Sequence, residues 1–140
     1  MISLRSPAVV AAHGIANGKK TLEGLAVMNR DRLDALIAAY TLTTLCAFAG
    51  VNRAIVRRWR AGDAAPSDRR RVVLDCAYEI MRTIENQYDS LTLQSWIIGR
   101  NFYGGSPGMA LREIAMGTTL EADVERICVN LVAAARNLAL

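Results

Sequence analysis

Seven arginines lie between Val51 and Arg71, at positions 53, 57, 58, 60, 69, 70 and 71, against only Asp63 and Asp68. This stretch carries a net charge of +5 while the whole 140-residue chain carries +4, so everything outside it sums to −1. Guanidinium groups gathered in this way suit the gripping of phosphates, because each is permanently charged and offers a planar fork of N–H donors. Arg57 and Arg58 fall where base edges would be read, and a bidentate arginine–guanine pair contributes about 1–3 kcal/mol of discrimination. Arg60, Arg69, Arg70 and Arg71 suit phosphate contacts, which position a protein on a duplex without reading its sequence. The plainer reading is that the arginines solvate two exposed helix faces, and spacing has to decide between the two.

The spacing is that of a helix-turn-helix over Leu42–Ala61. Two short helices crossing steeply need a residue tolerant of φ > 0 at the head of the turn, and Gly50 supplies it. Four residues earlier the helices touch, where Cys46 is small enough. Leu45 and Val51 fill the gap between them, and Val56 and Trp59 point back into the same core. Asn52 caps the second helix and leaves Arg53, Ala54, Arg57 and Arg58 on its free side. The predicted DNA-facing set is therefore Asn52, Arg53, Arg57, Arg58, Arg60, Arg69, Arg70 and Arg71.

Other chemistries are excluded by what is scarce. One histidine, His13, rules out a His-pair metal site, and Cys46, Cys76 and Cys128 form no CxxC. They read as small, reduced core side chains in a reducing compartment. No nucleophile–base pair and no carboxylate pair in an apolar frame can be assembled, so neither an enzyme nor a cofactor is expected. No apolar run reaches the 18 or so residues of a membrane span. Ala8–Ala12, bracketed by Pro7 and His13, is too brief for a secretory segment, and the expected location is the cytoplasm.

The elements that must carry the motif are helical. Hydrophobic residues make up 52% and charged residues 21%, which excludes a disordered chain. Apolar spacing of three and four recurs after Thr21, whereas alternating β-branched runs are nearly absent, so the fold class is all-α. Leu22, Leu25, Leu33, Leu36, Ile37 and Tyr40 share one face of a first helical region, in which Asn29 or Asp31 can cap a break. Helices follow over Leu42–Phe48, from Asn52 to Arg60, from Asp68 to Tyr88 and over Ser90–Ile98. Ser106-Pro107 starts another that ends at Gly117, and Thr118–Glu121 is a capping box for the last. The division expected is an N-terminal arm over 1–20, a helix-turn-helix domain over 21–88 and a C-terminal domain over 89–140.

Leu42-Thr43-Thr44-Leu45, Gly50-Val51 and Arg58-Trp59-Arg60 are followed by one long helix, then Trp96-Ile97, Asn101, Gly104-Gly105-Ser106-Pro107, Leu111, Ile114 and Gly117. In this order the motifs resemble those of the Xre/MbcA/ParS antitoxin family, over roughly residues 30–140. The resemblance implies a Cro-repressor-like helix-turn-helix domain and a small helical toxin-binding domain sharing one core. It implies an antitoxin that occludes the active site of a RES-type, NAD-degrading toxin and autoregulates its operon through operator DNA. The partners implied are that toxin, the operator, and a homodimer or toxin–antitoxin hetero-oligomer.

Trp96, Asn101, Gly105, Ser106 and Pro107 match the family's toxin-binding signature, and the end of the last helix, with Arg136, Leu138 and Leu140, is the candidate plug. The chain departs from the family in a shorter Asn-to-Pro stretch and in lacking a glycine near its end. From spacing alone, Trp96 is a core side chain and Ser106-Pro107 simply a helix start. The alternative reading is a stand-alone helix-turn-helix regulator whose C-terminal half dimerises.

Overall fold

The computed structural model of the chain describes residues 19–100 and 105–139, with side chains within 30–100 and 105–138. Among the described residues there are seven helices and no extended ladder: α1 Lys19–Tyr40, α2 Leu42–Ala49, α3 Arg53–Ala61, α4 Asp68–Glu85, α5 Ser90–Ile98, α6 Pro107–Ala115 and α7 Glu121–Ala139. The all-α expectation holds. Of the expected arm, residues 1–18 lie outside the described residues, while Lys19 and Lys20 already belong to α1.

Helix α1 runs through Asn29 and Asp31 without the break those residues could have capped. Its C-terminal half is held from several sides. Leu33, Leu36, Ala39 and Tyr40 are buried, and Arg32 reaches Asp75 on α4 at 3.1 Å while lying over the Tyr78 ring. Burial of these four side chains fixes this half of the helix, whereas a cap at Asn29 or Asp31 would gain only one side-chain bond.

Between α1 and α2 the chain turns by 111° at Thr41, whose φ of 79° and ψ of 155° fall in a region otherwise almost reserved for glycine. Surrounding bonds fix this corner. The Thr41 N–H donates to the Ile37 carbonyl at 3.0 Å, the Tyr40 hydroxyl donates to the Ala77 carbonyl at 2.7 Å, and Gln94 Nε2 donates to the Ala39 carbonyl at 2.9 Å. Thr41 Oγ1 also accepts the Thr44 N–H, starting α2.

A single hydrophobic cluster draws on every helix: Leu33, Leu45, Val56, Ile80, Ile97, Leu111 and Leu131 belong to it, one from each of α1 to α7. Helix α4 lies at its centre and packs against α1, α2, α5, α6 and α7. No single helix among the described residues is long and apolar enough to cross a membrane. The bent pair α1–α2 has the composition for it, but that apolar content goes into the core, where Tyr40, Leu45 and Phe48 are almost wholly buried.

Two expected boundaries shift. Helix α4 ends at Glu85 instead of Tyr88, because the Gln87 and Tyr88 amides both turn back to the Ile84 carbonyl, at 3.0 and 2.8 Å. The capping box at Thr118 does not form. Its hydroxyl and its amide donate to the Glu113 carbonyl, at 3.1 and 3.0 Å, so Thr118 closes α6 and does not open α7. The Glu121 carboxylate goes to Arg69 at 3.0 Å. Orphan carbonyls at the end of one helix and orphan amides at the start of the next compete for the same short linker, and here the carbonyls win.

Candidate nucleic-acid interface

Helix α2 stops at Ala49 because Gly50 takes the left-handed conformation, φ 68° and ψ 37°, and donates its N–H to the Cys46 carbonyl at 2.9 Å. Asn52 then starts α3, its Oδ1 accepting the Ile55 N–H at 3.0 Å. Helix α3 ends at Gly62, also left-handed with φ 82°. Nine residues long, it sends Val56 and Trp59 into the core and keeps Arg53, Ala54, Arg57 and Arg58 exposed. The turn, cap and inward residues lie where the spacing predicts them.

The backbone is what requires glycine at position 50. A Cβ there would sit 2.5 Å from Met116 Sδ, the end of a flexible and exposed side chain that can swing away, whereas a left-handed non-glycine residue costs about 1–2 kcal/mol. Gly50→Ala should therefore lower unfolding free energy in urea by about 1–2 kcal/mol, and an unchanged midpoint would show that the turn relaxes without cost.

The arginines divide by what they touch. Arg57 and Arg58 are exposed and make no hydrogen bond or ion pair among the described residues. Arg53 is exposed too, with Nη2 donating to Thr43 Oγ1 at 2.9 Å. The four residues expected to face phosphates engage the chain itself. Arg60 pairs with Asp34 at 2.6 Å and Arg71 with Asp68 at 2.9 Å. Arg69 donates to the Thr119 carbonyl at 2.8 Å and pairs with Glu121. Arg70 donates to the Ala49 and Gly50 carbonyls at 2.8 and 3.1 Å, holding the C-terminus of α2. Charge clustering in sequence does not distinguish a guanidinium aimed outward from one that neutralises a helix end.

Arg112 on α6 is absent from the set predicted by spacing, yet its Nη1 donates to the Ala47 carbonyl at 2.8 Å, next to the bonds from Arg70. The sequence signal for it is the run Ala47-Phe48-Ala49-Gly50, a helix end whose carbonyls no local side chain can satisfy.

In the C-terminal half, Trp96 is buried at 8% exposure within the shared core, as its helical spacing suggests. Ser106, at 6%, accepts the Met109 N–H at 3.0 Å, and Pro107 is buried at the first position of α6. Gly105 is half-buried, and Arg136 is exposed. Leu138 is half-buried against the core, and its carbonyl accepts the Tyr88 hydroxyl at 3.0 Å. Asn101 and Leu140 lie outside the described residues. The large apolar side chains exposed in this half are others: Leu91 at 72% and Ile98 at 67%, seven apart on one face of α5, Met109 at 53% on α6, and Met116 and Leu120 between α6 and α7. Nothing in their local sequence separates them from core residues.

No group of three or more His, Cys, Asp or Glu side chains that could hold a metal ion occurs among the described residues. Compared with protein-family models, with curated proteins and with solved structures, the chain gave no match in any of the three.

Proposed function

We propose that the protein is a DNA-binding antitoxin: α2 and α3 form a helix-turn-helix that docks α3 in the major groove, and the C-terminal half neutralises a RES-type toxin by occluding its active site. The observation that carries the DNA half is the outward face of α3, where Arg57 and Arg58 are exposed and uncommitted directly after the left-handed turn at Gly50. Free guanidinium groups on the open side of a short helix are what bidentate reading of guanine needs. Autoregulation follows if the operator lies before the protein's own operon.

The toxin half rests on the order of motifs around Trp96, Ser106 and Pro107. The buried positions of those three make them supports for the surface and leave direct engagement of the toxin to the end of α7. Co-expression with a RES-domain toxin tests it. Ending the chain after Arg136 should abolish protection of the cells while preserving the helical content and unfolding midpoint within a few degrees. Among the described residues, Leu138 is the single core-packed side chain that such a truncation removes, and it is only half-buried. Full protection by the shortened chain would overturn the plug.

A further inference from the structure

An open cleft of about 620 Å³ lies beside the turn at Gly50, where α3, the loop before α4 and α6 meet. Val51, Ile55 and Trp59 give it an apolar side; Ser67, Arg70 and Arg112 give it a polar one. No carboxylate lines it. Arg70 and Arg112 come from different helices, and neither forms an ion pair with an acidic side chain among the described residues. Their partners are the carbonyls of Ala47, Ala49 and Gly50 at the end of α2, with Met116 Sδ also 3.6 Å from Arg70 Nη2, and such neutral acceptors offset a guanidinium charge only in part.

Donors remain available. Arg70 Nη1 makes no hydrogen bond within the described residues, and on Arg112 neither Nε nor Nη2 does. Ser67 Oγ accepts the Arg70 N–H and keeps its own proton to donate. The cap residues Asn52 and Ser67 both line the cleft, so the positive ends of α3 and α4 add to the same field.

We propose that this cleft binds a small organic anion, with a phosphate or carboxylate head between Arg70 and Arg112 and an apolar body against Val51, Ile55 and Trp59. Its size suits such a ligand, since small-molecule sites span roughly 300–1,000 Å³ and combine apolar walls with a few polar groups. Two permanent charges facing an open cleft without a counter-charge attract an oxyanion, and the guanidinium fork fixes its orientation. The ligand would share these arginines with the carbonyls of Ala47, Ala49 and Gly50, so occupancy bears on the turn that sets the angle between α2 and α3. The site shares Asn52 and Arg70 with the set predicted to face DNA, but none of Arg53, Arg57 and Arg58 lines it, and the proposal stands whether or not those three side chains bind DNA.

Titration of the full chain with phenyl phosphate, followed by backbone amide NMR shifts, tests it. Saturable shifts are expected at Gly50, Val51, Asn52, Ile55 and Ser67. Inorganic phosphate should move the same amides with about tenfold weaker affinity, and benzyl alcohol should not move them. Arg112→Gln, on an exposed side chain that gives up one described hydrogen bond, should weaken phenyl phosphate about tenfold, with Arg112→Lys between it and the unmodified protein. Arg57→Ala should bind as the unmodified protein does. Shifts that never saturate, shifts centred on α3's outer face, or equal affinity in Arg112→Gln would overturn the proposal. A random-sequence DNA duplex giving the Arg112-dependent shifts where phenyl phosphate gives none would overturn it as well, by assigning the cleft to a backbone phosphate.

Discussion

Replacing Arg57 and Arg58 together by alanine should weaken binding to a duplex selected from a random pool by about 30-fold or more, with a much smaller loss on unselected DNA. Each bidentate contact to guanine contributes about 1–3 kcal/mol of discrimination, so two of them set the size of the effect. The unfolding midpoint should not move, because these side chains make no hydrogen bond or ion pair among the described residues. Arg60→Ala is the useful contrast. It breaks an exposed pair with Asp34, an interaction contributing about 1 kcal/mol at most, and should lower affinity for all duplexes alike. Fluorescence anisotropy across a salt series separates the two, since each phosphate neutralised adds about one to the slope of log K against log salt. Equal losses on selected and unselected DNA for the double variant would remove base reading from α3.

The second large effect concerns Asp75 on α4. Burial pushes its carboxyl up from 3.8 to about 6; Arg32 and Arg71 pull the other way by charge, Arg32 also by a hydrogen bond, and Glu79 adds to the rise. The 3.1 Å pair with Arg32 therefore does not recover what desolvation costs. Because the folded chain holds this proton more tightly than the unfolded chain, the associated stability is fully present below pH 3.8 and is lost as pH rises through about 6. The whole change is about 3 kcal/mol, from roughly two pKa units at 1.36 kcal/mol each.

Asp75→Asn keeps the shape and an acceptor for Arg32 but has no charge to desolvate. Relative to the unmodified protein it should be more stable by about 3 kcal/mol at pH 8 and equal at about pH 3.5, as read by urea denaturation at both values. If the variant were instead the less stable of the two at pH 8, attraction to Arg32 would outweigh burial and the sign would reverse.

Where a single residue type determines the backbone, the sequence was legible. Gly50, Asn52 and Ser106-Pro107 end or begin helices where their chemistry requires, and the three-and-four spacing of Val56 and Trp59 selects the buried side of α3. Legibility failed where one side chain had two possible partners. Thr118 fits a cap for α7 as well as a closure of α6, and only the path of the chain back to the Glu113 carbonyl selects the second. Arg69 and Arg70 belong to the same cationic run as Arg57 and Arg58, yet their partners are carbonyls supplied by distant segments, which local charge does not reveal. The same holds for Arg112 and for the exposed pair Leu91 and Ile98, whose types match those of the core.

Adjacent residues on one turn of α4 thus hold two separate corners of the molecule, Arg69 the approach to α7 and Arg70 the end of α2. No linker separates the two corners, since neighbouring residues of one helix hold both. Under the proposed function, a toxin and an operator would both act on this one helix, and thermodynamic linkage would make any such influence mutual: whatever a bound toxin did to the grip on the operator, the operator would do to the grip on the toxin.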